Sequence, residues 1–548
     1  MKTQMIVKEE ECLMIKSVSY DQLNPVSFLD RSALVYPEKE AVIYKNNRYT
    51  YSEFAGRVNR LANALDNSGI RAGDKVGFLC PNIPAMLEGH YGPMKLGAIL
   101  VAINIRLSSH EILYILNHSK VKVLVLDAEF STKIIEIVDQ LETVTKFIQV
   151  TDDFPINIEL SDTDYETYLS TASTKSKNVQ LKDELDIISI NYTSGTTGLP
   201  KGVEYHARGA YLAGIGEALE CSMNWKTRYL WTLPMFHCNG WCFTWGVTAV
   251  GGTHVCLRKS DPKEIFNLIS KESISHMCGA PTVLTSLYSS AESKMANIEG
   301  LNIMTAGAPP APQVIRSIEG MGATLYHAYG LTETYGPHTI CAIQDSWANL
   351  SDSDQAILKS RQGVPYIVAQ TGLKVVDKRM NDIPRDGITV GEVVMRGNNV
   401  MTGYHENTEA TKQAFKGDWF HSGDLAVWHE DGYIELQDRA KDVIISGGEN
   451  ISSQQVEKVI MEHPGVLEVS VIGVPDEKWG EVPKAFVVTR EGQQIKSDDI
   501  IQFCRDRIAH FKAPKYVDFG SLPKTATGKI QKYILREAEW KDKEKRIN

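Results

Sequence analysis

The sequence predicts an α/β protein: a large N-terminal domain of layered α/β subdomains with a β-rich subdomain, then a small C-terminal α+β domain. Three observations predict it. Apolar, β-branched runs alternate with segments of helical period from residue 41 to about residue 340, the pattern of layers around a largely parallel sheet. Residues 370–400 change to short strand-like runs punctuated by Gly and Pro. Beyond a charged stretch at 437–441 the alternation resumes for about a hundred residues, enough for a separate domain. A chain of 548 residues also exceeds one ordinary core.

The elements follow in order. Residues 41–44 and 48–51 read as a hairpin around Lys45-Asn46-Asn47. Ser52 is read as the cap of a helix whose apolar face is Phe54, Val58, Leu61, Ala62 and Leu65, with Gly69 past its end. A strand at 76–79, a helix reaching about residue 95, a strand at 98–103, a helix after Ser108 and a strand at 121–126 come next. Residues 152–183 are polar and rich in Asp, Thr and Ser, and read as a connector. A second α/β series starts at 203, and residues 373–376 and 391–395 are strand-like. The break falls between strand-like 433–436 and 443–445, which sets an N-terminal domain at 1–438, a hinge at 439–441 and a C-terminal domain at 442–548. In the last, helices are read at 454–462 and 497–508, and strands at 469–474 and 485–488.

One stretch organises the chain: Tyr192-Thr193-Ser194-Gly195-Thr196-Thr197-Gly198-Leu199-Pro200-Lys201-Gly202, with three glycines, four hydroxyl residues and one lysine. It follows a buried-strand pattern at 187–190. Glycines let backbone N–H groups approach an anion, hydroxyls donate to phosphate oxygens, and the lysine adds a mobile positive charge. The loop is not a Walker A motif, which needs Gly immediately before Lys; here Pro200 precedes Lys201. The string resembles, without departure, the phosphate-binding signature of the acyl-adenylate-forming, or AMP-binding, superfamily. That superfamily includes acyl-CoA synthetases, the adenylation domains of peptide synthetases, and luciferase.

Further stations lie downstream in the order this superfamily uses. Tyr329-Gly330-Leu331-Thr332-Glu333, read as a loop after a strand at 323–328, offers an aromatic face, a hydroxyl and a carboxylate. Read alone it also suits a capped helix start. It resembles the family's second signature, which implies a Mg²⁺ ligand at Glu333 and a phosphate contact at Thr332, with Thr193 beside the metal; Mg²⁺ favours oxygen ligands and bridges phosphates. His421-Ser422-Gly423-Asp424 reads alone as a turn satisfying its own backbone; the resemblance implies that Asp424 accepts ribose hydroxyls, with Arg439 nearby. Pro523-Lys524-Thr525-Ala526-Thr527-Gly528-Lys529 reads alone as a loop before an amphipathic helix. The resemblance implies that Lys529 enters the site for adenylation, where an ammonium between carboxylate and α-phosphate stabilises the transition state.

The same resemblance brings Ser194, Gly195, Thr196, Thr197, Gly198, Lys201, Ala306, Gly307, Ala308, Pro309, His327, Ala328, Tyr329 and Gly330 to the nucleotide. It brings Ser446, Gly447, Gly448, Glu449, Trp479 and Phe511 to CoA, although a half-buried aromatic in a small domain also suits a core. It makes Lys441 the hinge residue, a charged, solvated position that tolerates a large backbone change. Residues 231–242, Trp231 to Cys242, carry three readings: a metal site on His237, Cys238 and Cys242, an apolar core with a buried His, or an acyl pocket. The first lacks a second half-site. The resemblance favours the third, with His237, Trp241, Gly307 and Gly330 lining the pocket.

Composition narrows the class. With 43% hydrophobic and 23% charged residues and a net charge of −10, the chain is globular and ill-suited to non-specific nucleic-acid binding. Nine irregularly spaced cysteines form no disulfide framework, the N-terminus has acidic residues where a signal peptide needs an apolar core, and no run of 18 apolar residues spans a membrane. The expected location is the cytoplasm, and the expected partners are a small carboxylic acid, ATP and CoA, compatibly with a homodimer. The resemblance implies an AMP-forming acyl-CoA synthetase: acid and ATP give acyl-AMP and pyrophosphate, and CoA then gives acyl-CoA and AMP. Its texture is that of short- and medium-chain fatty acyl-CoA ligases. The alternatives are an aryl or methylthio-substituted acid, a carrier protein as acceptor, and a nucleotide-binding regulatory protein without turnover.

Overall fold

The computed structural model describes residues 19–161, 163–177, 181–193, 200–294, 297–439, 442–447, 449–476, 478–525 and 530–541. They form four sheets of nine, seven, four and five strands. The two large sheets are parallel at their centres, with antiparallel strands at both edges of the nine-stranded sheet and at one edge of the seven-stranded sheet. The nine-stranded sheet is parallel from Thr324–Leu331 through to Glu40–Tyr44, and the seven-stranded sheet from Ile187–Tyr192 through to Lys146–Val150. The four-stranded sheet, Leu373–Val376 to Ile434–Arg439, is wholly antiparallel and is the β-rich subdomain. In the five-stranded sheet Tyr516–Phe519 adds in parallel to an otherwise antiparallel set.

Local chemistry explains the flanking elements. The helix Tyr51–Asn67 starts at Thr50, not at Ser52: Thr50 accepts from the Glu53 N–H while the Glu53 carboxylate accepts from the Thr50 N–H, a reciprocal box that Ser52 cannot make from inside the first turn. Its expected apolar face is buried. Ser108 and Glu111 cap the helix Ser109–Ser119 in the same way. The helix read as reaching residue 95 is instead two short pieces, Pro84–Gly89 and Pro93–Leu96, because Pro93 cannot continue the first. The connector at 152–183 contains a helix of its own, Tyr165–Ser170, capped by Asp164.

The strands that carry the site are numbered here: β1 Ile187–Tyr192, β2 Gly202–His206, β3 Arg228–Trp231, β4 His276–Cys278, β5 Asn302–Thr305, β6 Thr324–Leu331, β7 Phe420–Trp428 and β8 Ile434–Arg439. The largest apolar cluster runs from Val26 to Leu436 and joins the big sheets and the β-rich sheet. The five-stranded sheet has its own cluster, from Ile444 to Val517. No helix among the described residues is long and apolar enough to cross a membrane.

Candidate active site

One cleft of about 1460 Å³ lies where β1, β3, β4, β5 and β6 end. These are the carboxyl ends of parallel strands, where side chains and loops from different crossovers converge on open space. Its lining includes Thr193, Lys201, His237, Trp241, Ala306, Gly307, Ala308, Pro309, His327, Ala328, Tyr329, Gly330, Thr332, Glu333, Asp424 and Arg439. The expected nucleotide and acyl residues among the described ones therefore meet in one place. Ser194, Gly195, Thr196, Thr197, Gly198, Lys441, Gly448 and Lys529 lie outside the described residues.

The glycine-rich loop joins antiparallel strands, β1 and β2, whereas a Walker A loop joins a strand to a helix. Its neck is closed: the Thr193 N–H donates to the Lys201 carbonyl at 3.0 Å, and the Lys201 N–H to Thr193 Oγ1 at 3.4 Å. The Lys201 ammonium stands 4.6 Å from the Tyr404 ring centroid. The Tyr404 hydroxyl donates to Glu333 Oε1 at 2.8 Å, and burial, then the Glu333 charge, push that hydroxyl's pKa up, so it stays a donor. One aromatic thus spaces the loop's cation from the carboxylate.

Residues 329–334 are not the expected loop. β6 runs on through Leu331, and Thr332–Thr334 form a single 3₁₀ turn. The strand persists because it pairs with Gly336–Ile340, whose Gly336 carbonyl lies where a Gly330 side chain would start, 1.8 Å from an added Cβ. Only glycine permits that approach. The Tyr205 hydroxyl donates to the Thr332 carbonyl at 2.6 Å and fixes the turn.

Asp424 is buried on β7 opposite Arg439 on β8. Its Oδ2 accepts from the Tyr329 hydroxyl at 2.7 Å, and its Oδ1 pairs with Arg439 Nε at 3.1 Å. Burial, then the Asp424 charge, hold the Tyr329 hydroxyl well above its ordinary value. Burial works against the Arg439 charge, but Asp424 and then Tyr329 outweigh it and hold the guanidinium above its ordinary value. Arg439, expected at the hinge, is the last residue of a strand. His327, lowered to about 4 by burial, is a neutral imidazole facing the cleft.

The segment after β3 has an unusual backbone. Cys238, Asn239, Gly240, Trp241 and Cys242 all have positive φ, between 46° and 63°. Four are not glycine, and each such residue costs on the order of 1–2 kcal/mol in a left-handed turn. All five are buried, and packing over-determines the turn. The Asn239 Oδ1 accepts from Ser189 Oγ at 2.9 Å and from Asn191 Nδ2. The Cys238 thiol, pushed up to about 12 chiefly by burial, donates to Thr332 Oγ1 at 3.4 Å. A neutral buried thiol is a poor metal ligand and a poor nucleophile.

From the C-terminal part, Thr525, Ile530, Lys532 and Arg536 reach the cleft. Ser446, Gly447, Glu449, Trp479 and Phe511 do not line it. Ser446 and Glu449 pair across a turn whose Gly447 lies under the Trp479 ring, and Trp479 and Phe511 are 47% and 48% exposed, not core. The half-buried Lys532 pairs with Glu457 at 2.8 Å and donates to Ser453 Oγ at 2.6 Å, while the Ser453 N–H donates to Asp438 at 2.6 Å. The last of these bonds, from Ser453 to Asp438, ties the C-terminal part to β8, and the Lys532 bonds brace it from within the C-terminal part. Sequence reading missed Tyr404, Tyr205, Ser189, Asn191 and Lys532. The signals available were an exposed-looking Gly-Tyr-His string and a polar Ser-x-Asn alternation in an apolar strand.

Comparison with known proteins is consistent along the chain. The family described as AMP-binding enzyme matches residues 29–405, and the family described as AMP-binding enzyme C-terminal domain matches residues 455–529. The chain is 45% identical to a 4-hydroxybutyrate–CoA ligase 2 of Metallosphaera sedula over 94% of each chain. It is 43% identical to an acetate–CoA ligase CCL3 of Humulus lupulus over 97% of each. Among solved structures, the anthranilate CoA ligase AuaEII in complex with anthranoyl-AMP matches with a TM-score of 0.84 at 25% identity, over 95% of this chain and 98% of that one.

Proposed function

The chain belongs to the AMP-binding enzyme family and is an AMP-forming acid–thiol ligase that uses ATP and CoA; we propose that its acid is a short, uncharged-tail monocarboxylic acid of about four carbons or fewer. One observation carries this reading: a buried indole, Trp241, only 5% exposed, lines the cleft with His237 and stands against Gly336. Among the described lining residues from 232–241, 280–287, 306–314 and 330–337 there is no Lys or Arg to pair a second carboxylate. Relatives named for 4-hydroxybutyrate and acetate support the same size class. The medium-chain half of the expectation has no such support.

In the proposed mechanism the substrate carboxylate attacks the ATP α-phosphorus, and the bond to the bridging oxygen breaks to release pyrophosphate. The closed loop neck at Thr193 and Lys201 suits the β- and γ-phosphates. Asp424, with lone pairs left after its two bonds, takes the ribose hydroxyls beside Arg439. Lys529 stabilises charge developing between the two anions. Mg²⁺ fits the donor set: one carboxylate, Glu333, with one oxygen held by Tyr404, plus hydroxyls at Thr193 and Thr332, is what a hard cation shared with phosphates needs. When bound it would neutralise phosphate charge.

For the second half-reaction we propose rotation of residues 442–548 about Lys441. The turn Ser446–Glu449 with Trp479, away from the cleft here, then comes to face it with CoA. The thiol sulfur attacks the acyl carbon and AMP leaves. Eight free, buried cysteines among the described residues suit a reducing compartment, and we place the reaction in the cytoplasm.

The test is a panel of acids from acetate to palmitate, with benzoate, methylthiopropionate and 4-hydroxybutyrate, following pyrophosphate and free thiol together. Coincident signals for the short acids are expected. Turnover centred on octanoate or on benzoate overturns the size class. Pyrophosphate without thiol loss makes a carrier protein the acceptor.

A further inference from the structure

We infer that Ser189, Asn191 and Asn239 are positioning residues that set the depth of the acyl pocket, by holding the left-handed turn that carries Trp241. The inference rests on the short-acid reading above and names its determinant. Asn239 makes three hydrogen bonds to one strand. Its carboxamide oxygen accepts from Ser189 and Asn191, and its backbone N–H donates to Asn191 Oδ1 at 3.2 Å. Its carbonyl accepts from Thr244 Oγ1 at 3.1 Å, which ties the turn to the following helix Phe243–Ala249. All three polar side chains are at most 1% exposed. β1 belongs to the seven-stranded sheet, while the turn follows β3 of the nine-stranded sheet, so the network joins two sheets behind the cleft.

The clamp has a mechanical reason to exist. Cys238, Asn239, Trp241 and Cys242 relax toward right-handed backbone unless something opposes it. Trp241 is two residues from Asn239 and moves with it. The turn is also boxed in. An added Cβ on Gly336 would stand 3.0 Å from Trp241, and one on Gly240 would stand 2.7 Å from Trp231. The indole therefore has one seat while the amide network holds, and that seat shortens the pocket. The ribose site at Asp424, Tyr329 and Arg439 shares no hydrogen bond with the network, and the turn meets the phosphate side through the Cys238 thiol on Thr332 Oγ1 at 3.4 Å, so loosening it acts chiefly on acid recognition.

The experiment measures kcat/KM for acetate, butyrate, hexanoate and octanoate, and KM for ATP, on the full chain and on Asn191→Ala, Asn239→Gly and Trp241→Ala. Glycine at 239 accepts the left-handed backbone but removes the carboxamide, so this variant carries the test where Asn191→Ala fails to accumulate. The expected result is an octanoate-to-butyrate ratio raised about tenfold or more in all three variants, the scale of a few methylenes in an apolar pocket. In the two asparagine variants the change should lie in KM for the acid, with KM for ATP held within about threefold. An unchanged ratio in both asparagine variants, with a shifted ratio in Trp241→Ala, overturns this inference and leaves the short-acid reading standing. An unchanged ratio in Trp241→Ala overturns both. A KM for ATP that rises in step with that for the acid assigns the asparagines a general structural role and also overturns it.

Discussion

Asp424 receives Tyr329 on one carboxylate oxygen and Arg439 on the other. Its charge matters to both, and to two ribose hydroxyls in the proposed complex. Asp424→Asn keeps the shape, removes the charge and turns one acceptor into a donor facing Tyr329 or Arg439. A hydrogen bond to a charged group is worth about 1.5–3 kcal/mol, so KM for ATP should rise about 10–100-fold while KM for the acid changes little, as initial-rate kinetics with each substrate varied will show. The role proposed for Asp424 comes from the string His-Ser-Gly-Asp only through resemblance. Its Tyr329 partner was not legible, because that hydrogen bond spans 95 positions and no local pattern encodes it.

Elements with reciprocal local chemistry were read nearly in full, and the exceptions are informative. The helix over 51–67 was placed one cap too late, because Ser52 and Thr50 are both good caps and only Thr50 has Glu53 three residues on. Thr50→Ala should therefore cost about 1 kcal/mol of stability, seen as a lower denaturant midpoint with unchanged kcat/KM; Ser52→Ala should cost much less. The 3₁₀ turn at Thr332–Thr334 and the long β6 were misread as a loop, since their extension depends on Gly336–Ile340 folding back alongside. The left-handed turn at 238–242 lay beyond any propensity argument. Four of its five residues disfavour that conformation, and only contacts with β1 and the helix after it reverse the preference.

At the level of the whole chain the proposed mechanism has two half-reactions share one cleft. Lys529→Ala should cut acyl-AMP formation by several orders of magnitude, and spare thioester formation from supplied acyl-AMP. Equal loss in both steps would count against the assigned role. Lys441→Pro should do the reverse, because a fixed φ hinders rotation; single-turnover assays of each step check both. Stability should also depend on pH through buried imidazoles. Burial lowers His90, His327 and His338 to about 4 and His254 to about 3, all below the ordinary 6.5. The unfolded chain then binds more protons than the folded one between these values, so stability is fully present above pH 6.5 and is lost as pH falls toward 4. Five carboxyls that burial raises, at Glu88, Glu217, Glu220, Asp438 and Glu457, act in the opposite sense, against seven imidazoles once His118, His206 and His276, also lowered by burial, are added. Melting temperature should drop on going from pH 7.5 to 5; a flat profile would refute the balance.

The order and chemistry of the stations from Thr193 to Lys529 are determined by the sequence itself. Phosphate recognition uses contiguous backbone N–H groups and hydroxyls, and such sites must be written as short unbroken strings. The contacts that tune those stations were decided only by tertiary structure. Tyr404 reaches Glu333 across 71 positions, Asn191 reaches Asn239 across 48, and Ser453 reaches Asp438 from the C-terminal part across 15. Each joins residues whose separate neighbourhoods look ordinary, and each exists because two sheets and a C-terminal unit pack around one row of strand ends.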